Sequence, residues 1–461
     1  MKTQGKDLKF VLIGGGSFGW SHRLITDMAC LPALHGMHIV LQDINPDALS
    51  VTLPLCQKLA NQMLGADFRL EATTDLRSAL KGADFVGLTI STGSEEANLL
   101  DQTIPRKHGV LQTVGDTVGP GGWSRALRNI PVVVDIIRTV EGIAPDAWFM
   151  NYSNPMTVLT RTMQKVSRVK TVGLCHELQG LLLHLAYYFG VDWQKDIKVK
   201  MAGINHLIWI LAIDVCGHDG LELLKQYIRD PEGFKPLRPR VIPEELIHGG
   251  GVNPNQRIKF DMLMRTGYLT GAGDAHTAEF FSHYLKDEET MKRWGYAPDK
   301  RAHTFAHIHT YEKRKQHALE LLEGKRQPFL KHSHEHASRI VAALIGAEEN
   351  LLTPINTGNI GQVDNLPRQA VLETMALVNR LGVTPLPVGN LPEFIQTHLM
   401  RHIPVQEMIV EAGLTGNKEL AILALSCDPL VPGPDVAARI AADVFESFQE
   451  WLPQFNGKWS L

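Results

Sequence analysis

Asn154, Cys175 and His206 are the residues whose types point most directly to chemistry. Each lies at a strand end. Trp148 to Asn151 runs into Tyr152-Ser153-Asn154-Pro155, Val169 to Leu174 ends at Cys175-His176-Glu177, and Gly203-Ile204-Asn205-His206 leads into the strand Leu207 to Val215. A thiolate and an imidazole are competent ligands for a divalent transition metal. With an asparagine holding substrate, they would leave coordination positions open, as catalysis requires. The separation of Cys175 from His206 matches no standard zinc spacing. A buried cysteine beside a histidine bonded to a backbone carbonyl is therefore the alternative.

These strand ends need a scaffold, and Lys9 to Gly19 (KFVLIGGGSFG) begins it. An apolar run enters a glycine turn before a helix-competent segment, Trp20 to Leu31. Gly14 would permit the sharp exit from the strand, Gly16 the approach of a pyrophosphate, and Gly19 close packing of helix on strand. Ser17 and Phe18 between them join the expected cofactor-binding set. The phosphates would sit on free N–H groups of the first helical turn. A second apolar run, His38 to Leu41, ends at Asp43, where a carboxylate would accept from both ribose hydroxyls of NAD and repel a 2′-phosphate. Glycines that merely make a tight turn are the competing reading.

Strands then alternate with helical stretches: Pro46 to Leu64, Asp67 to Glu71, Leu76 to Leu80, and Ala83 to Ile90. Ser91 and Thr92 follow as a polar lip beside the cofactor. The expected fold is α/β, a Rossmann-like doubly wound parallel sheet over residues 1–200, with a mixed α+β domain over 201–461 that closes the site. Thr113 to Asn129 reads as a loop whose tail passes into a helix from Trp123 to Gly142. Tyr311 to Lys325 reads as a basic, solvated helix.

Charged residues make up 21% of the 461 and the net charge is −3, which leaves no electrostatic footprint for nucleic acid. No apolar run of about 20 residues suggests a membrane span, and MKTQGKDLKF lacks a signal core. Five scattered cysteines favour a reducing compartment, and a cytoplasmic location is expected.

The set GGGSFG, GDTVGPGG, NYSNPM, CHE, GINH and GAGDAHTAEF resembles glycoside hydrolase family 4, the NAD- and metal-dependent glycosidases. The resemblance implies NAD and manganese as cofactors, with Cys175 and His206 as metal ligands and Asn154 holding the sugar's hydroxyls. It also implies a reaction: NAD oxidises sugar carbon 3, the proton on carbon 2 becomes acidic, the aglycone leaves by elimination, water adds and the hydride returns. Asp274 is the first candidate for the base and Asp116 the second. His176 or Glu177 would protonate the leaving oxygen or bond a hydroxyl, and His276 and Glu279 are expected in the same pocket. Family members form dimers or tetramers, so a homo-oligomer is implied.

CHE, with Arg125 and Arg128 after GDTVGPGG, looks closest to the branch that cleaves α-uronides such as galacturonides or glucuronides. An acidic sugar needs a cationic pocket, for which Arg125, Arg128, Arg257 and Arg265 are available. A sulfoquinovoside carries its charge at the same end of the ring, and neutral α-galactosides or α-glucosides are further alternatives. A malate- or lactate-type dehydrogenase shares the fold, and a silent sugar or NAD sensor is another rival. The pairs His303/His307 and His332/His336 read as solvated rather than as metal ligands.

Overall fold

A computed structural model describes residues 5–244, 246, 256–296, 310–333, 335–459 and 461. The pair His303/His307 lies outside them. β1 (Lys9–Ile13), β2 (His38–Gln42), β3 (Arg69–Thr73), β4 (Phe85–Leu88), β5 (Trp148–Asn151) and β6 (Lys170–Gly173) pair in parallel, in the order β3-β2-β1-β4-β5-β6. The central strands are buried on both faces, which is why Phe10-Val11-Leu12-Ile13 reads as a continuous apolar run. The connecting helices include α1 (Ser21–Ala29), α2 (Pro46–Cys56), α3 (Leu76–Leu80), α4 (Ser94–Lys107), α5 (Gly119–Ile143), α6 (Met156–Val166) and α7 (Glu177–Phe189). Strand order reverses at β1, so a crevice opens there at the carboxyl ends.

The sheet does not stop at residue 200. β7 (Ile197–Ile204), β8 (Leu207–Val215), β9 (His218–Asp219), β10 (Leu269–Thr270), β11 (Leu351–Gly358), β12 (Val371–Asn379) and β13 (Gly382–Pro385) extend it by antiparallel pairing, in the path β6-β11-β12-β7-β8-β10. The expected domain division therefore falls inside one continuous sheet. The C-terminal half also covers the N-terminal one. Helix Ile403–Thr415 packs on α5 and α6, and the buried Trp123 of α5 donates its indole N–H to Ala421 O at 2.8 Å. Helix Ala337–Ile345 lies on the opposite face beside α1.

Two expected elements differ. The stretch Thr113 to Asn129 is a loop only as far as Val118; α5 starts at Gly119, with Pro120 in its first turn, where the missing N–H leaves no bond unmade. The long helix expected from Pro46 changes from α to π at Gln57, three residues after Pro54, which has no N–H for the ladder. Tyr311–Leu322 is helical, exposed on one side, with Ala318 and Leu321 buried against α2.

In the glycine turn, Gly14 adopts φ +85°, the left-handed region that favours glycine. The N–H groups of Gly14 and Gly15 both donate to Gln42 O, pressing the turn onto the end of β2. A Cβ on Gly15 would lie 2.8 Å from Leu41 Cα, whereas one on Gly19 would meet nothing within 4 Å. Close packing, expected of Gly19, thus belongs to Gly15. Gly15→Ala is expected to cost roughly 2 kcal/mol, in the range of an overpacked core, and Gly19→Ala almost nothing. Urea midpoints test this, and equal midpoints for the two variants would refute the assignment.

Candidate active site

A cleft of about 780 Å³ follows the carboxyl ends of β1, β4, β5 and β6. At one end Ser17 of the glycine turn faces Thr89, Ile90 and Ser91 after β4. Gly16 N–H donates to Asp43 Oδ2 and Asn45 N–H to Asp43 Oδ1, both at 2.9 Å. The carboxylate is thereby fixed beside the turn, with lone pairs to spare for ribose hydroxyls. A Cβ on Gly16 would approach Asp43 Oδ2 to 2.8 Å, so glycine keeps this cradle open and its backbone accessible. These residues fit a dinucleotide. Two expected contacts serve otherwise. Phe18 is buried, its ring 5.1 Å from Tyr311, and supports the helix Tyr311–Leu322. Thr92 donates its N–H and its hydroxyl to Asn129 Oδ1 and so ties the lip to α5.

At the other end Asn154, after β5, faces the loop between α4 and α5 and the hairpin between β7 and β8. Asp116 Oδ2 accepts from Asn154 Nδ2 at 2.9 Å, and Asp116 Oδ1 accepts the Thr117 hydroxyl at 2.6 Å. That hydroxyl has one proton, so its contact with His206 Nδ1 at 2.7 Å must be acceptance from an Nδ1–H. The relay leaves a lone pair on His206 Nε2, the form that binds metal. His206 occupies a two-residue turn at φ +64°, a conformation that costs a non-glycine residue about 1 kcal/mol or more. Its ring stacks on that of His276, with centroids 3.9 Å apart.

The two imidazoles are driven apart in protonation. Burial, and then the neighbouring His276, push His206 down to about 3. Burial opposes charge on His276 too, but the hydrogen bond and charge of Glu177 lift it to about 9. Glu177 Oε1 lies 2.9 Å from His276 Nδ1, and Oε2 accepts Gly273 N–H at 2.7 Å. Asp116 stays below the usual carboxylate range despite burial, because His276, His206 and Arg125 surround it. His176, its Nδ1 3.0 Å from Glu335 Oε1, is raised to about 9 by Glu335 against the effect of burial.

Ligand atoms of Asp116, His206 and His276 all lie within 4.8 Å of one another. Beside them Asn154 Oδ1 is buried without a partner among the described residues. Such a set fits a divalent transition metal. Cys175 stands outside this group. Burial, with Glu373 and Glu177 adding to it, raises its thiol well above the ordinary value, and the Asn205 side chain hydrogen-bonds it.

Other expected site residues have different tasks. Both oxygens of Asp274, the first candidate base, accept N–H groups of Ile258 and Lys259 and anchor the helix Arg257–Thr266. Glu279 Oε1 accepts three consecutive N–H groups, those of Thr113, Val114 and Gly115. Arg128 is wholly buried, bidentate to Asp101 at 2.7 and 2.8 Å and stacked on Phe448. Arg257 donates to Arg293 O, and Arg265 pairs with Asp261, both away from the cleft. Of the four arginines only Arg125 lines the cleft, hydrogen-bonded to Asn98 Oδ1 and Asn154 O. His332 and His336 bond Ser338 and Thr353 respectively and do not share a helix face. Thr117 and Glu335 were not foreseen; only the place of Thr117 in GDT could have drawn attention to it.

The Family 4 glycosyl hydrolase profile matches residues 9–190, and the Family 4 glycosyl hydrolase C-terminal domain matches residues 201–431. An α-galacturonidase of Thermoanaerobacterium saccharolyticum is 33% identical over 100% of this chain and 99% of its own. An α-galacturonidase of Bacillus subtilis is 35% identical, over 92% and 93%. The crystal structure of a 6-phospho-α-glucosidase from gut microorganisms, in complex with NAD and Mn2+, matches the fold with a TM-score of 0.81 at 18% identity, over 97% of this chain and 99% of the other. With both halves matched and full-length relatives above 30% identity, the chain belongs to the family 4 glycosyl hydrolases.

Proposed function

We propose that this protein hydrolyses α-glycosides of an acidic sugar, an α-galacturonide foremost, using NAD and a divalent metal such as manganese. One observation carries the reading: a single cleft joins the glycine turn to the Asp116, His206 and His276 donor group beside the unpartnered Asn154 oxygen. The two α-galacturonidase relatives support the acidic sugar, and the NAD- and Mn2+-bound relative supports the cofactors. When bound, NAD would take a hydride from sugar carbon 3 and give it back, and the cation would act as a Lewis acid toward the adjoining oxygens.

The chain's own residues divide the remaining work. Gly16, Ser17 and Asp43 hold the dinucleotide. His206, neutral and oriented by Thr117, is the metal ligand common to two donor sets, the Asp116/His276 group of the geometry and the Cys175 of the family resemblance. Asn154 Oδ1 accepts from a ring hydroxyl. With the cation on the His206 and Cys175 set, Asp116, kept anionic beside two imidazoles, takes the proton from carbon 2, and His276, kept protonated by Glu177, gives one to the leaving oxygen. Arg125, whose hydrogen bonds go to uncharged oxygens, receives the sugar's carboxylate.

A screen of nitrophenyl α-glycosides with NAD, manganese and reductant should show cleavage of the galacturonide without accumulation of NADH, lost on chelation. Stoichiometric NADH without cleavage would favour a dehydrogenase, and preference for a sulfoquinovoside or a neutral galactoside would displace the uronide. With substrate deuterated at carbon 2, solvent protium should appear in the product; full retention of label would exclude elimination. In manganese titrations His206→Ala should bind at least about a hundredfold more weakly and Cys175→Ser about tenfold, as loss of metal-site groups does. Unchanged affinity removes the substituted residue from the ligand set.

A further inference from the structure

The helix Tyr311–Leu322 reaches the cleft from far along the chain and is built into its dinucleotide end. Tyr311 packs on Phe18 of the glycine turn, its hydroxyl accepts from Asn45 at the start of α2, and Ala318 and Leu321 seat the helix against α2. On the other side its first turn faces Glu95 in the first turn of α4. The helix therefore bridges the starts of α2 and α4, the interval a dinucleotide must cross between Asp43 after β2 and Ser91 after β4. One turn inside it stands Arg314, which lines the cleft together with Ser17 and Ser91. Among the described residues the Arg314 side chain has no hydrogen-bonded or ion-paired partner, and the opposing charge that acts on it is that of Glu95.

A guanidinium at the wall of a cleft, sharing that wall with Ser17 of the glycine turn, is suited to bidentate contact with phosphate oxygens. We infer that Arg314 binds the diphosphate of the dinucleotide, so that the helix Tyr311–Leu322 clamps the cofactor against the glycine turn. This rests on the proposed use of NAD. It assigns to the C-terminal half a share of a site that the glycine fingerprint places wholly in the N-terminal half.

The test is NAD titration of the metal-free full-length protein, followed by intrinsic fluorescence, for the natural sequence, Arg314→Gln and Arg314→Lys, with thermal midpoints as the folding check. Arg314→Gln should raise the NAD dissociation constant about tenfold or more, as loss of one charge-assisted contact does. Arg314→Lys should recover part of the loss, and KM for the glycoside at saturating NAD should stay within about twofold. Equal NAD affinity in all three proteins overturns the inference, and so does a rise confined to the glycoside KM, which would move Arg314 to the sugar's carboxylate. Failure of the natural sequence to bind NAD at all would instead fell the proposed function.

Discussion

One carboxylate oxygen organises the reactive end of this molecule. Glu279 Oε1 gathers the N–H groups of Thr113, Val114 and Gly115, and so fixes the loop that presents Asp116 and Thr117 to His206. Three donors on a single acceptor, those of Thr113 and Gly115 buried, leave the loop one arrangement; a buried donor without a partner costs roughly 1–3 kcal/mol. Burial raises Glu279 to about 7, while the N–H groups of Val114 and Gly115 favour its charged form. The acceptor sits on the short helix Asp274–Glu279, which also carries His276, so one helix both sets the loop and faces it.

The sheet explains how residues so far apart in sequence meet. Asn154 follows a parallel strand of the N-terminal part, whereas His206 sits on an antiparallel hairpin, yet β5 and β7 belong to one hydrogen-bonded surface. A shared sheet holds the two within fixed limits in a way that a flexible linker between separate bodies could not. Helix Ile403–Thr415, packed on α5 and α6, adds a further tie between the two halves of the chain.

Much of this was legible in the residues alone. The apolar runs at Phe10 and His38, the glycine turn and Asp43 declare themselves because parallel strands are buried on both faces and the turn has few backbone solutions. The later strands β11 and β12 escaped because the pairings that join them to the rest of the sheet, Asn356 to Gly173 and Glu373 to Gly203, connect positions far apart in sequence and leave no local signature. The start of α5 was hidden by Gly121 and Gly122, which look like loop residues; at Gly122 a Cβ would strike Thr117 at 2.4 Å, so glycine there serves close packing. Asp274 and Glu279 show the same limit. Their types suit chemistry, but only coordinates reveal that backbone donors already claim them.

The turn at Asn205-His206 joins β7 to β8 with nothing to spare, Ile204 pairing directly with Leu207. Because side chains alternate faces along a strand, adding or deleting a single residue at this tip would slip β8 by one position and exchange the buried Ile213 and Val215 for the exposed Ala212 and Asp214. Chain length is thus as strictly specified here as residue identity. Evolution can substitute near this histidine more easily than it can insert or delete.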